Sequence, residues 1–375
     1  LIYLDHNATT RPDPAVVDAL AWASAHAWGN PSTLYRAGCE AKEVLDAARA
    51  RVARLLGAPD PAQVIFTSGG TEADALALFG VLRGPGQTRR HLVTTMAEHK
   101  AVLRSCARLE AEGFAVTYLP VDGAGRVDPG DVRRALRPDT ALVSVLLANN
   151  EVGTVNPVAE IAAACREAGV PVHTDAVQAC GKIPVDVEAL RVDLLSLSGH
   201  KLYGPRGIGA LWARSGTPLQ PLLVGGTQER GLRAGTEPVP LAHALGVAAE
   251  RASSRIEDDG TRIRALRDRL WVGLSEAVPG VRAHGDREGG LPNTLNVSIP
   301  RREAEALVLA LDDAGIAVGT GSACTTGDTR SSHVLLAMGV PPAEARASIR
   351  FSLGRENTAE QIDAVVEALA RIAGA

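Results

Sequence analysis

The chain has 375 residues, of which 46% are hydrophobic and 22% charged, and its formal net charge is −4. That balance can bury a sizeable core, and it excludes a disordered chain. It also argues against a membrane span, because no apolar run reaches about 20 residues, and the acidic balance with 3% aromatic residues argues against a direct nucleic-acid partner.

Residues 64–67 form a short apolar run that enters Ser68-Gly69-Gly70-Thr71, with a helical pattern from Glu72. Further strand-like runs follow at 91–95, 114–119, 141–148, 170–174, 192–197 and 207–212, with helical stretches at 101–112 and 158–169 among them. Apolar runs joined by helical crossovers predict an α/β domain with a mostly parallel sheet, in which antiparallel edge strands remain possible. From about Ser253 the texture changes. Residues 251–276 read as one long helix, 294–299 as a strand, 303–314 as a helix, 319–332 as a loop, 349–353 as a strand and 359–372 as an amphipathic helix. The expected division is a large α/β domain over 15–258 and a smaller α+β domain from 1–14 and 259–375, the latter carrying the 319–332 loop.

Five cysteines (Cys39, Cys106, Cys165, Cys180 and Cys324) show no C-x-x-C pair and no metal-ligand spacing. An odd, sparse set reads as a reducing compartment. With no basic and long apolar leader pattern at the start, a cytoplasmic location is expected, and no resident metal.

Two strand ends carry chemistry. Lys201 closes Ser198-Gly199-His200-Lys201, and Asp175 closes His173-Thr174-Asp175, 26 residues earlier. Taken singly, a lysine there is most often solvated and an aspartate most often a helix cap. Together they are what pyridoxal phosphate requires: an amine for a Schiff base and a carboxylate to keep the pyridine nitrogen protonated. The Gly69-Gly70-Thr71 turn, between a strand and a helix, offers free N–H groups to a phosphate. Cys324 differs from the other cysteines. Cys106, Cys165 and Cys180 sit in helix-like stretches and read as small buried hydrophobes, and Cys39 has nothing around it that marks a nucleophile. Cys324 lies in a segment with three glycines and many hydroxyl residues, of a length that is uncommon unless functional or disordered.

The motifs Tyr3-Leu4-Asp5-His6-Asn7-Ala8-Thr9-Thr10, Gly29-Asn30-Pro31-Ser32, Thr67-Ser68-Gly69-Gly70-Thr71-Glu72, Glu98-His99-Lys100-Ala101, Asn149-Asn150-Glu151-Val152-Gly153, His173-Thr174-Asp175, Ser198-Gly199-His200-Lys201-Leu202-Tyr203-Gly204-Pro205, Arg233-Ala234-Gly235-Thr236 and Arg350-Phe351-Ser352-Leu353-Gly354 together resemble the cysteine desulfurases. These are class V, fold-type I pyridoxal-phosphate enzymes, and the likeness runs in order over nearly the whole chain. Gly321-Ser322-Ala323-Cys324-Thr325 resembles the loop of the branch serving iron–sulfur assembly and tRNA thiolation.

The resemblance implies roles by position. Lys201 holds the cofactor, Asp175 pairs with the pyridine nitrogen, and Gln178 bonds the phenolic oxygen. Gly70, Thr71, Ser198 and His200 hold the phosphate, and Thr236 reaches it from the other subunit of a homodimer. His99 stacks on the ring and moves protons, and Asn150 lies near it. Arg350 clamps the substrate carboxylate through its guanidinium fork, with Asn7 assisting. L-Cysteine would yield alanine while Cys324, as thiolate, takes the sulfur as a persulfide for an acceptor protein. Arg350 and His99 are expected as cationic neighbours that favour that thiolate, and Cys324 could also ligate an iron–sulfur cluster transiently. The 319–332 loop is expected to be mobile, since it must serve both a closed site and an acceptor.

Alternatives are a selenocysteine lyase or another class V enzyme. A non-catalytic sulfur-relay subunit is disfavoured by the joint presence of Lys201, Asp175, His99, Arg350 and Cys324. His6 stands where family members vary. The chain stops shortly after its last helix, where relatives in iron–sulfur assembly often continue with a scaffold-binding tail, so the acceptor stays open.

Overall fold

A computed structural model describes residues 1–320 and 331–374. Cys324 and most of the loop expected to be mobile lie outside the described residues. Of that loop, Gly319–Thr320 is a short strand rather than irregular chain.

Seven strands form the larger sheet, in the order Val64–Thr67, Gly209–Ala213, Leu194–Ser198, Val172–Asp175, Thr140–Ser144, His91–Thr95 and Ala115–Leu119. All run parallel except Gly209–Ala213, which is antiparallel to both its neighbours. The antiparallel strand is therefore interior, not at an edge. Adjacent residues on one strand feed opposite cores: Phe66, Val93, Val143, Leu195 and Trp212 face one, and Ile65, Leu92, Leu142, Leu194 and Leu211 face the other. Both faces are covered by helices, which explains why these strands read as continuous apolar runs without alternation.

Aspartate–proline pairs start several of the covering helices. Asp13 caps Pro14–His26 by accepting the Ala15 N–H at 3.0 Å, and Asp128 caps Pro129–Ala135 by accepting that of Gly130 at 2.7 Å. Proline at the first helical position loses no bond, because that N–H has no partner in the helix.

A four-stranded antiparallel sheet orders Gly319–Thr320, Ser348–Ser352, Thr294–Ser298 and Arg282–His284. Its own core joins Leu295, Val297, Ile349 and Phe351 to the helices Ile256–Ala277, Ala304–Asp313 and Ala359–Gly374, and Leu4 enters it from the N-terminus. The single helix expected over 251–276 is two: Val239–Ser253 and Ile256–Ala277, with the break at Ser254-Arg255. Arg255 leaves the helical conformation there, with φ −123° and ψ −3°. Among the described residues, no helix is long and apolar enough to cross a membrane.

Candidate active site

The strands of the large sheet end at one crevice, where open α/β sheets bind ligands. Asp175 is the last residue of Val172–Asp175, and Ser198 the last of the adjacent strand Leu194–Ser198. A single turn, Gly199–Lys201, then carries Lys201 back over the crevice. From across it come the main chain of Asn7 and Ala8 and the side chain of Arg350, which lies in the interior strand Ser348–Ser352 of the small sheet. The resulting cavity is about 400 Å³ and brings together Asn7, Gly70, Thr71, His99, Asn150, Asp175, Gln178, Ser198, His200, Lys201 and Arg350. Thr236 is exposed and is not among the lining residues.

Lys201 Nζ donates to the carbonyls of Asn7 and Ala8 at 2.5 and 2.7 Å. Asp175 is buried, and its Oδ1 accepts the Val177 N–H at 2.8 Å. Burial pushes its carboxyl upward, against the pull of His99, the Val177 N–H and Lys201. Beside it lies a second buried carboxyl, Asp74, whose Oδ1 has no hydrogen-bond partner. Burial, and then the Asp175 charge, raise the Asp74 carboxyl well above the carboxylate range. Ligand atoms of Asp74, His99 and Asp175 all fall within 4.8 Å of one another, a grouping that chain spacing does not reveal. Below them His173 is pinned between the Ser144 and Ser196 hydroxyls at 2.9 and 3.0 Å, and burial holds its imidazole at about 3.

His99 caps the helix Lys100–Ala111 by accepting the Ala101 N–H on Nδ1 at 3.2 Å. Burial is the largest influence on its imidazole and lowers it. The ring is therefore neutral near pH 7, which corrects the expectation of a cationic His99 beside the thiol. A neutral ring with Nδ1 already accepting leaves Nε2 as the N–H that can face the cavity.

Asn7 touches the cavity differently from its expected role. Its Nδ2 donates to the Asn150 carbonyl at 3.1 Å and to Thr294 Oγ1 at 2.8 Å, while its Oδ1 accepts from Asn293 at 3.0 Å. The side chain is thus committed within the protein, and the backbone carbonyl is what serves Lys201.

One end of the cavity is built by the N-terminus of the helix Gly70–Leu82, whose free N–H groups attract an anion. A Cβ at Gly70 would stand 2.7 Å from Val177 Cγ2, so only glycine lets the chain lie this close. His200 Nδ1 meets Thr9 Oγ1 at 3.1 Å, and burial lowers its imidazole to about 4. Arg233 ties the following segment to this helix through Glu72 at 2.9 Å.

The residues that sequence reasoning did not assign are Asp5, Asp74, Glu98 and Lys182. Asp5 accepts from Arg350 Nη2 at 2.6 Å. Glu98 lies inside a quoted motif, yet only its complete burial marks it. Lys182 follows Gly181 with no local signal at all.

The class-V aminotransferase profile matches residues 2–365, and the chain belongs to that family. Its relatives within it include the cysteine desulfurase of Gluconacetobacter diazotrophicus, 49% identical over 369 residues, 98% of this chain and 92% of the relative. Among solved structures, a NifS-like protein superposes with a TM-score of 0.93 at 38% identity, covering 100% of this chain and 99% of that one. SspA, solved in complex with cysteine, superposes with a TM-score of 0.83 at 34% identity over 94% of this chain and 99% of its own. The family is pyridoxal-phosphate dependent.

Proposed function

We propose that the chain is a cysteine desulfurase that converts L-cysteine to L-alanine and receives the sulfur on Cys324 as a persulfide. The observation that carries this reading is the meeting of Lys201, Asp175, His99 and Arg350 at one cavity. SspA's complex with cysteine supports the choice of substrate.

The cavity fits pyridoxal phosphate. Its volume of about 400 Å³ lies in the range of small-molecule sites. Asp175 offers a buried carboxylate for the pyridine nitrogen, the orphaned Asp74 Oδ1 lies beside it, and Gly70 permits close backbone approach. We read Lys201 as the amine that holds the group, Gln178 as the donor to its phenolic oxygen, and Gly70, Thr71, Ser198 and His200 as the phosphate cradle. Bound there, the cofactor supplies an electron sink for bonds broken at the substrate α-carbon.

The chain's own groups do the rest. Arg350 binds and orients the substrate carboxylate. Lys201, as the neutral amine, is the base that takes the α-proton and becomes the ammonium. His99, neutral with Nε2–H toward the cavity, donates or accepts at the opposite face. Cys324 attacks the substrate sulfur, so that an S–S bond forms as the Cβ–S bond breaks. Gly319 pairs with Arg350 in the small sheet, and Cys324 follows Gly319 by five positions in the sequence, which supports the assignment of Cys324.

The partners we propose are a second copy of this chain and a sulfur-acceptor protein of iron–sulfur assembly or a thiolation pathway. Thr236 is exposed and outside its own chain's cavity, as a residue serving the other subunit should be. Exposed Trp28, Leu34, Tyr35 and Val224 supply apolar surface for such an interface. We also propose the division at 15–258 against 1–14 and 259–375 as two domains whose seam is the cavity.

The test is alanine released from L-cysteine by cofactor-loaded protein, with Cys324→Ala beside it. Alanine from the wild type and none from a variant that keeps the yellow cofactor is expected. Equal turnover by the variant overturns the nucleophile. No alanine from loaded wild type, with release from selenocysteine, moves the reading to a selenocysteine lyase.

A further inference from the structure

We propose that Lys182 is a positioning residue: its ammonium holds the Gln178 carboxamide with the NH₂ turned to the cavity and the oxygen turned away. The assignment rests on the cofactor reading above and extends it to a residue behind the lining.

Gln178 follows the Asp175 strand end and lines the cavity. Its Oε1 accepts from Lys182 Nζ at 2.7 Å, and the same ammonium donates to the Gln178 carbonyl at 3.1 Å. An ammonium only donates, so the carboxamide atom it meets must be the oxygen. The other atom is then nitrogen, and Nε2 donates to the Asn7 carbonyl at 2.9 Å. That carbonyl is one of the two that receive Lys201 Nζ. One continuous chain of bonds thus joins Lys182, Gln178, Asn7 and Lys201. An NH₂ has two hydrogens, and the bond to Asn7 uses one, leaving the second for the cavity.

The position is an expensive one for a cation. Lys182 and Lys201 line the same small void behind Gln178 with His6 and Tyr203, and its volume of about 20 Å³ admits about one water. Burial, and next the Lys201 charge, draw the Lys182 amine down to about 7, so the donor-only ammonium that orients the amide is the form held below that pH. Both described hydrogen bonds of Lys182 go to Gln178. An apolar side chain would avoid the desolvation. What it would not supply is a donor-only group against the carboxamide oxygen, which is the property that fixes the amide's sense.

With the cofactor bound, a fixed Gln178 N–H facing its phenolic oxygen would stabilise negative charge there and would lower the proton affinity of the neighbouring nitrogen at Lys201. The experiment is a pH titration of the visible absorbance of loaded protein in a double-mutant cycle: wild type, Lys182→Met, Gln178→Leu and the double variant. Lys182→Met is expected to raise the apparent pKa by about 0.5–1 unit. In the Gln178→Leu background the rise should be less than half as large, since only the direct effect of the lost cation remains. Lys182→Arg, still donor-only, should return to the wild-type value. Where Lys182→Met does not fold, Lys182→Gln takes its place in the cycle, because a carboxamide no longer dictates which atom it meets. Equal shifts in both backgrounds, or no shift from Lys182→Met, overturn the assignment. A wild-type protein with no visible band overturns the cofactor reading itself, and this assignment falls with it.

Discussion

Arg350 Nη2 meets the Asp5 carboxylate at 2.6 Å, joining the N-terminal segment to an interior strand of the small sheet at the wall of the cavity. Nη1 donates to the Asn150 carbonyl at 3.1 Å, and Nε is buried with no partner. A guanidinium carries five N–H donors; the Nε–H is buried, and the second hydrogens of Nη1 and Nη2 are left for an incoming carboxylate. Asp5 thus aims the fork without exhausting it. Lysine at this position offers one compact charge, which cannot hold Asp5, the Asn150 carbonyl and a two-point carboxylate together. Arg350→Lys is expected to raise KM for L-cysteine about 10- to 100-fold while the cofactor spectrum is retained. A KM within twofold of wild type in steady-state alanine release removes Arg350 as the clamp.

Glu98 is a second buried acid with a measurable consequence. Its Oε1 accepts from the Leu146 N–H at 2.9 Å and from the Thr95 hydroxyl at 3.1 Å, while Oε2 is buried without a partner. Burial pushes the carboxyl from the ordinary 4.5 up to about 8. Between those values the folded protein keeps a proton that the unfolded chain has lost. Stability from this group is therefore fully present below about pH 4.5 and declines as pH rises to about 8. Glu98→Gln keeps the Oε1 acceptor and removes the titration. Its melting temperature should exceed that of the wild type by about 2–4 °C at pH 8, with the gap closing toward pH 5. A gap that does not change with pH contradicts the shift.

Glu229 and Arg49 form a two-point ion pair at 2.6 and 2.8 Å, with the arginine over the Phe66 ring at 4.7 Å. Glu229 also accepts the Phe66 N–H at 3.1 Å and adopts a left-handed φ of 46°. The pair anchors the segment that leads to Arg233 and Thr236. Glu229→Ala leaves a mostly buried guanidinium without its counter-ion and a strand N–H without an acceptor. A loss of about 3–5 kcal/mol in urea unfolding is expected, and Arg49→Met in the same chain should recover part of it. If the double variant is less stable than the single one, the stranded charge is not the cause.

Much of the large sheet was legible in the chain. The run at 91–95 is the strand His91–Thr95, and the run at 192–197 is Leu194–Ser198 displaced by one or two residues. Fully buried parallel strands announce themselves as apolar runs. The break at Ser254-Arg255 did not, because no glycine or proline stands there to mark it. Of the 141–148 run, only 141–144 is strand, as part of Thr140–Ser144. Val145 and Leu147 instead give their N–H groups to the His173 and Asp175 carbonyls as the chain enters the crevice.

The sequence by itself determined the family, the order of strands and helices, and which residue types stand at the strand ends: Asp175, Lys201 and the Gly69-Gly70 turn are all local signals. Only the tertiary structure decided how those residues are charged and which of their atoms are in use. The neutrality of His99, the raised carboxyls of Asp74 and Glu98, and the lowered amine of Lys182 come from burial, which no short window of sequence contains. Asn7 serves the cavity with its carbonyl because its side chain is bound by Asn293 and Thr294, and Arg350 is aimed by Asp5, 345 residues away along the chain. Spacing along the chain sets conformational preference over a few residues. Electrostatics depends on what stands within a few ångströms in space, and that is settled only when the chain has folded.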